Sequence, residues 1–162
     1  MSTPYSIDYN SSGMLHQILS SEDYALALTP GFFRFYAHIG ILQALEERGC
    51  LRPSHVSGSS AGALVGGFLA AGMKPSEMIK AVLEIKRADI WDVGGSGGLL
   101  KGELFQAVIE RNLPVRTFAE CPLPLGVTSY DIMRFKTQYL TEGCLATAMR
   151  ASCTFPGLFQ PV

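Results

Sequence analysis

Charge is scarce in this chain and nowhere concentrated. Of its 162 residues only 17% are Asp, Glu, Lys or Arg, against about 25% in ordinary soluble domains. Thirteen Lys plus Arg stand against fourteen Asp plus Glu. No basic run occurs, so nucleic acid is not an expected partner. Disorder is excluded by a hydrophobic content of 48%, because a disordered chain needs low hydrophobicity and high net charge. The four cysteines, Cys50, Cys121, Cys144 and Cys153, form no CxxC pair and no Cys/His ligand spacing, which excludes a structural zinc site. They read as reduced, mostly buried thiols of an intracellular protein. Met1 to Ser21 lacks a basic n-region and an apolar h-region, so no signal peptide is expected there. Long hydrophobic runs are also missing. The charge-free stretch Val56 to Met73 comes nearest, yet if it opens with a turn only Ala61 to Met73 can be helical, about 20 Å. A hydrocarbon core of about 30 Å is out of reach, and no transmembrane helix is expected.

What remains is one domain's worth of chain. A domain of this size buries roughly 70% of its unfolded surface and needs no disulfide or metal staple. Residues 1–22 read as a loose polar leader, and 23–162 as the domain itself. Tyr24 to Thr29 is an apolar run with the look of a buried strand, broken by Pro30-Gly31. Phe35, Ile39, Leu42 and Leu45 recur at helical spacing up to Arg48, with Gly49 as the stop. A very short strand is expected around His55-Val56-Ser57, then a helix of small residues from Ala61 to near Gly72. Pro75 opens another helix with Met78, Ile79, Val82 and Leu83 on one face. Asp89 to Gly98 reads as a loop, and Leu104, Phe105, Val108 and Ile109 mark the next helix. Thr117-Phe-Ala-Glu120 matches a capping box. Leu125–Tyr130 and Phe135–Leu140 read as strands, and Cys144–Ala151 as helix. Alternating strands and helices predict an α/β domain with a largely parallel sheet.

The pattern Gly-x-Ser-x-Gly occurs twice, centred on Ser60 and on Ser96, where composition predicts only about 0.15 occurrences. A nucleophile elbow needs a strand before its serine and a helix after it, so that the helix N-terminus faces the developing oxyanion. Ser60 has both; Ser96 sits in a glycine run and reads as a loop residue. The competing reading of Ser60 is a helix N-cap. All three histidines, His16, His38 and His55, precede Ser60, which rules out the Ser–acid–His order of the α/β-hydrolases. Asp23, His38 and Ser60 run in the subtilisin order, but a strand–elbow–helix turn does not suit that enzyme. His38 reads as a packed or capping histidine. A nucleophilic Ser60 therefore calls for a carboxylate base, and none of Asp8, Asp23, Asp89, Asp92 or Asp131 announces itself.

Four stretches together resemble the patatin-like phospholipases. Leu26-Ala-Leu28 with Arg34 and Ala37-His-Ile-Gly-Ile-Leu42 is similar to the family's first strand, oxyanion loop and first helix. Val56-Ser-Gly-Ser-Ser-Ala-Gly62 resembles its nucleophile elbow, with Gly58, Ser59, Ala61 and Gly62 around Ser60. Gly97-Gly-Leu-Leu-Lys-Gly102 resembles the loop opening a later helix, and Met149 to Val162 the segment leading toward the catalytic aspartate. The resemblance implies a three-layer α/β sandwich and a serine lipid acyl hydrolase with a Ser–Asp dyad. The substrate would be a phospholipid or other glycerolipid ester, and no metal or organic cofactor would be needed. A cytoplasmic location with peripheral contact to a lipid surface is expected.

Two departures stand out. Where the family has the glycines of GxGxxG, this chain has Pro30, Phe32 and Phe35, leaving Gly31 and Arg34. Pro30 offers no N–H, so oxyanion donors would come from Gly31, Phe32 or Phe33 and from Ala61. Phe32 and Phe33 either line an acyl-chain pocket or pack against the sheet. Second, the dyad aspartate of the family, in an Asp-Gly-Gly or Asp-Gly-Ala motif, follows the Pro-Gly-x-Phe-x-Pro-Val stretch and has no counterpart up to Val162. The domain is thus expected to be incomplete at its C-terminus, leaving a sheet neighbour unpaired. Asp131 resembles a family aspartate at a strand end that is not catalytic. The alternative to an enzyme is a catalytically inactive remnant serving as a lipid- or protein-binding module.

Overall fold

The computed structural model describes residues 24–94 and 97–162. The leader over 1–22, His16, Asp8, Asp23 and the second motif serine, Ser96, lie outside the described residues. Strands are β1 Tyr24–Leu28, β2 Pro53–Ser59, β3 Gly98–Leu100, β4 Leu125–Asp131, β5 Lys136–Leu140 and β6 Gly157–Phe159. Helices are α1 Arg34–Glu47, α2 Ala61–Ala70, α3 Pro75–Glu84, α4 Glu103–Asn112 and α5 Leu145–Cys153. The main sheet runs β1-β2-β4-β5. β1, β2 and β4 are parallel and β5 closes the edge antiparallel to β4. This is the expected α/β fold with a largely parallel sheet.

Both parallel crossovers step in the same direction across the sheet. Right-handed crossovers therefore put their helices on one face, and α2 packs there against β1, β2, β4, α1 and α5. Ile39 and Leu42 from α1, Ala63 and Val65 from α2, Val56 and Val127 from the strands, and Leu145 and Met149 from α5 make one buried cluster. On the other face Ala25, Ala27, His55 and Tyr139 are exposed. A cavity of about 580 Å³ opens between His55, Gly126, Tyr139 and Glu142. It lies toward the starts of β2 and β4, the strand ends away from Ser60.

Several expectations need correction. The strand before Ser60 spans seven residues rather than three, because β2 has a parallel neighbour on both sides. Leu83 is 70% exposed, so the buried face of α3 is Met78 flanked by the partly buried Ile79 and Val82. Leu104 is exposed as well. The loop expected to run on to Gly98 and the tail after Phe155 each contain a short strand, β3 and β6, which pair in parallel with each other. Cys50 is buried and Cys121 and Cys153 half-buried, but Cys144 is exposed.

Candidate active site

Ser60 follows directly on β2 and immediately precedes α2, at a backbone conformation of φ 52, ψ −117. That is a left-handed value at a side-chain-bearing residue, a strain of about 1–3 kcal/mol that persists only where its surroundings enforce it. The enforcement is visible on both sides. A Cβ on Gly58 would strike the Gly62 carbonyl, and a Cβ on Gly62 would strike the carbonyl of Leu28. Only glycine lets the strand, the turn and the neighbouring strand approach this closely. The Ser60 carbonyl accepts the amides of Ala63 at 2.8 Å and Leu64 at 3.1 Å, which starts the helix. The Ser60 side chain makes no capping hydrogen bond, so the N-cap reading of this serine does not hold.

The hydroxyl thus leaves the amides of the first helical turn unclaimed. Ala61 and Gly62 are buried, and among the described residues nothing accepts a hydrogen bond from their amides. The positive end of a helix with unclaimed N–H groups is a place where an oxyanion is stabilised. The loop after β1 arrives at the same spot, because Leu28 lies opposite Gly58 in the sheet. Gly31 takes a φ of 144, its carbonyl accepts the Arg34 amide at 2.9 Å, and the Arg34 side chain folds back over it toward the Thr29 hydroxyl at 3.4 Å. Phe32 and Phe33 do not pack against the sheet. They are 80% and 72% exposed and touch each other edge to face, with ring centroids 5.0 Å apart.

The C-terminal turn of α5 reaches Ser60 from the other side, a feature the sequence did not announce. The Ser60 amide donates to Ser152 Oγ at 2.8 Å, and Ser152 Oγ donates to the Thr128 carbonyl at 2.6 Å. Thr128 in turn lies beside Ser59 in the β2–β4 register. The neighbouring Cys153 thiol is pushed up to about 12 by burial, opposed only by a hydrogen bond with the Ser60 side chain. A thiol this reluctant to ionise cannot take a proton from a serine.

No described carboxylate takes that role either. Burial works against the charged form of Asp92, but the amides of Leu104 and Gly102 outweigh it and hold the carboxyl below its usual range. Both amides donate at 2.9 Å, so Asp92 is occupied in starting α4. Asp131 lies three residues beyond Thr128, about 10 Å along the strand. The Arg134 amide first, then that of Met133 and the Arg134 guanidinium hold its carboxyl low and tie it to its own turn. Of the histidines, His38 is buried on α1, and burial, reinforced by the charge of Arg34, lowers its pKa; it is packed and neutral, as expected. His55 is exposed, with Nδ1 3.1 Å from Ser54 Oγ. Among the described residues no group of three His, Cys, Asp or Glu side chains could hold a metal ion, and no helix is long and apolar enough to cross a membrane.

Comparison with known proteins bears on the fold and the family. The solved structure of VipD from Legionella pneumophila superposes with a TM-score of 0.73 over 87% of this chain and 44% of its own, at 17% identity; at that distance it speaks to the fold. An uncharacterised NTE family protein of Mycobacterium tuberculosis is 36% identical over 146 residues, 88% of this chain and 40% of the relative. Human patatin-like phospholipase domain-containing protein 6 is 26% identical over 91% of this chain and 11% of its own length. The lysophospholipase nte1 of Neurospora crassa, also at 26%, is covered over 11%. The chain thus spans about two-fifths or less of the curated relatives it matches. The family model for patatin-like phospholipase matches residues 26–162, from the first strand through the strained turn at Ser60 to the end of the sequence, and the chain belongs to that family.

Proposed function

We propose that this chain carries the nucleophile and oxyanion-binding part of a serine lipid acyl hydrolase acting through a Ser–Asp dyad. The observation that supports it most is the strained turn at Ser60, a non-glycine residue held at positive φ between a strand end and a helix N-terminus. Ser60 Oγ attacks the carbonyl carbon of an acyl ester while a carboxylate accepts its proton. The oxyanion is met by the Ala61 amide and by amides of the Gly31–Phe33 loop. Collapse of the intermediate expels the alcohol, which leaves with the proton, and water then hydrolyses the acyl-enzyme. The base is an aspartate outside the described residues, consistent with the limited share of its relatives that this chain covers. The substrate is a phospholipid or lysophospholipid ester, a class suggested by the names of the fungal and mammalian relatives. It is approached from a lipid surface by the exposed aromatic loop.

A serine-directed fluorophosphonate is expected to label the whole protein. Ser60→Ala is expected to abolish labelling and Ser96→Ala to leave it unchanged. Equal labelling of the two variants refutes the choice of nucleophile. A second reading, a binding module without turnover, is favoured by the lack of any described carboxylate near Ser60. It predicts saturable association with lipid vesicles and no labelling at all.

A further inference from the structure

Ser60 is held through its backbone by Ser152 in the last turn of α5, with the Cys153 thiol beside its hydroxyl. Standing just ahead of the helix, the Ser60 N–H has no acceptor within it. A hydroxyl can accept one hydrogen bond while donating another, and Ser152 does both, linking the Ser60 amide to the end of β4 at Thr128. The bridge joins positions 92 residues apart. Its foundation is firm: α5 is locked against α2 by Met149, which fills the space a side chain at Gly67 would need, and both Met149 and Ala148 are buried. The neighbouring thiol offers no substitute, because it meets the Ser60 hydroxyl rather than the amide.

We propose that Ser152 is a positioning residue for the nucleophile: its hydroxyl holds the Ser60 backbone in the strained turn that aims Oγ at the ester carbonyl. This rests on Ser60 being the nucleophile. Removing the hydroxyl frees the amide and lets φ relax, which shifts Oγ. A misplacement on the order of 1 Å costs about 100-fold in rate.

Ser152→Ala in the whole protein is expected to lower kcat roughly 10- to 100-fold with little change in KM. It is also expected to speed hydrogen exchange at the Ser60 amide, read by NMR. Ser152→Thr, which keeps the hydroxyl, is expected to restore both toward the wild type. Unchanged exchange at the Ser60 amide in Ser152→Ala overturns the bridge. Faster exchange with kcat within twofold of wild type overturns the positioning role, as does a fall in kcat matched by an equal loss of folded protein on thermal melting. Ser60→Ala is assayed in parallel. If that variant stays active, the nucleophile assignment has failed, and the amide-exchange result still judges the bridge on its own.

Discussion

The Ser60 hydroxyl lies beside a thiol that burial keeps protonated, and this sets up a contrast between the cysteines at the two ends of α5. Cys153, at the end of α5, is raised to about 12 by burial, with the Ser60 bond pulling only weakly the other way. Cys144, just before the first residue of α5, is exposed, and the side chain and then the amide of Thr147 lower its pKa. Thiolate is the species that reacts. Iodoacetamide at pH 8 is therefore expected to modify Cys144 while leaving Cys153 untouched in the folded protein, and peptide mass mapping over time reads the order. Comparable rates at the two sites would show that the thiol is not enclosed beside Ser60. The strand–turn–helix around Ser60 was legible in the sequence because its requirements are local: two glycines at fixed offsets, a strand before, a helix after. Its grip by Ser152 was not, because a serine 92 positions away in a helix gives no sign of which backbone atom it will meet.

Helix α4 shows how one carboxylate can set an element boundary. Gly102 sits left-handed at φ 79 ahead of the helix, and Asp92, ten residues earlier, collects the amides of Gly102 and Leu104. Replacing such a cap by alanine costs about 1 kcal/mol, so Asp92→Ala should lower the thermal midpoint by a few degrees, while Asp92→Asn keeps the acceptor and loses less. The pH dependence has a definite sign. Burial raises the Asp92 pKa, the backbone amides lower it by more, and the folded value lies below the unfolded one. The stabilisation is complete above the unfolded pKa of about 3.9 and is lost as pH falls through the folded value. Asp92→Asn should therefore lose less stability than wild type between pH 5 and pH 2 in acid titrations followed by circular dichroism. An identical acid profile for the two would sink this account. The same region marks where element prediction stopped. β3 and β6 are three residues each and pair in parallel across a long stretch of sequence, with Leu100 of β3 also bridged to Val93. Neither has the length or alternation that makes a strand readable, whereas β2, although glycine- and serine-rich, was signalled by the turn and helix it feeds.

Over the whole molecule, the parallel strands bring Ser60, Ala61 and the Gly31–Phe33 loop to one end of the sheet, and that end is also where aromatic side chains lie bare. Phe32 and Phe33 follow β1 there, Phe155 follows α5 two residues after Cys153, and all three are at least 70% exposed. Tyr36 and Ile41 continue the apolar surface along α1. Arg34 lies within it, and no acidic residue occurs between Tyr24 and Leu45. Phe32, Phe33 and Arg34 thus give the loop beside Ser60 an apolar and cationic character, the chemistry that an anionic phospholipid surface would take. Full burial of one phenylalanine is worth about 1.5–3 kcal/mol, so with each ring half-buried among the headgroups, Phe32→Ser with Phe33→Ser should weaken partitioning onto phosphatidylserine-containing vesicles roughly 10- to 150-fold in sedimentation assays. Arg34→Gln should weaken it about fivefold and flatten its salt dependence, because only the ionic part is screened. Ser60→Ala should bind as the wild type does, which separates docking from chemistry. Undiminished binding by the double phenylalanine variant would mean that the loop meets something other than lipid. The aromatic pair would then have to be explained by the oxyanion amides it carries rather than by the surface it presents.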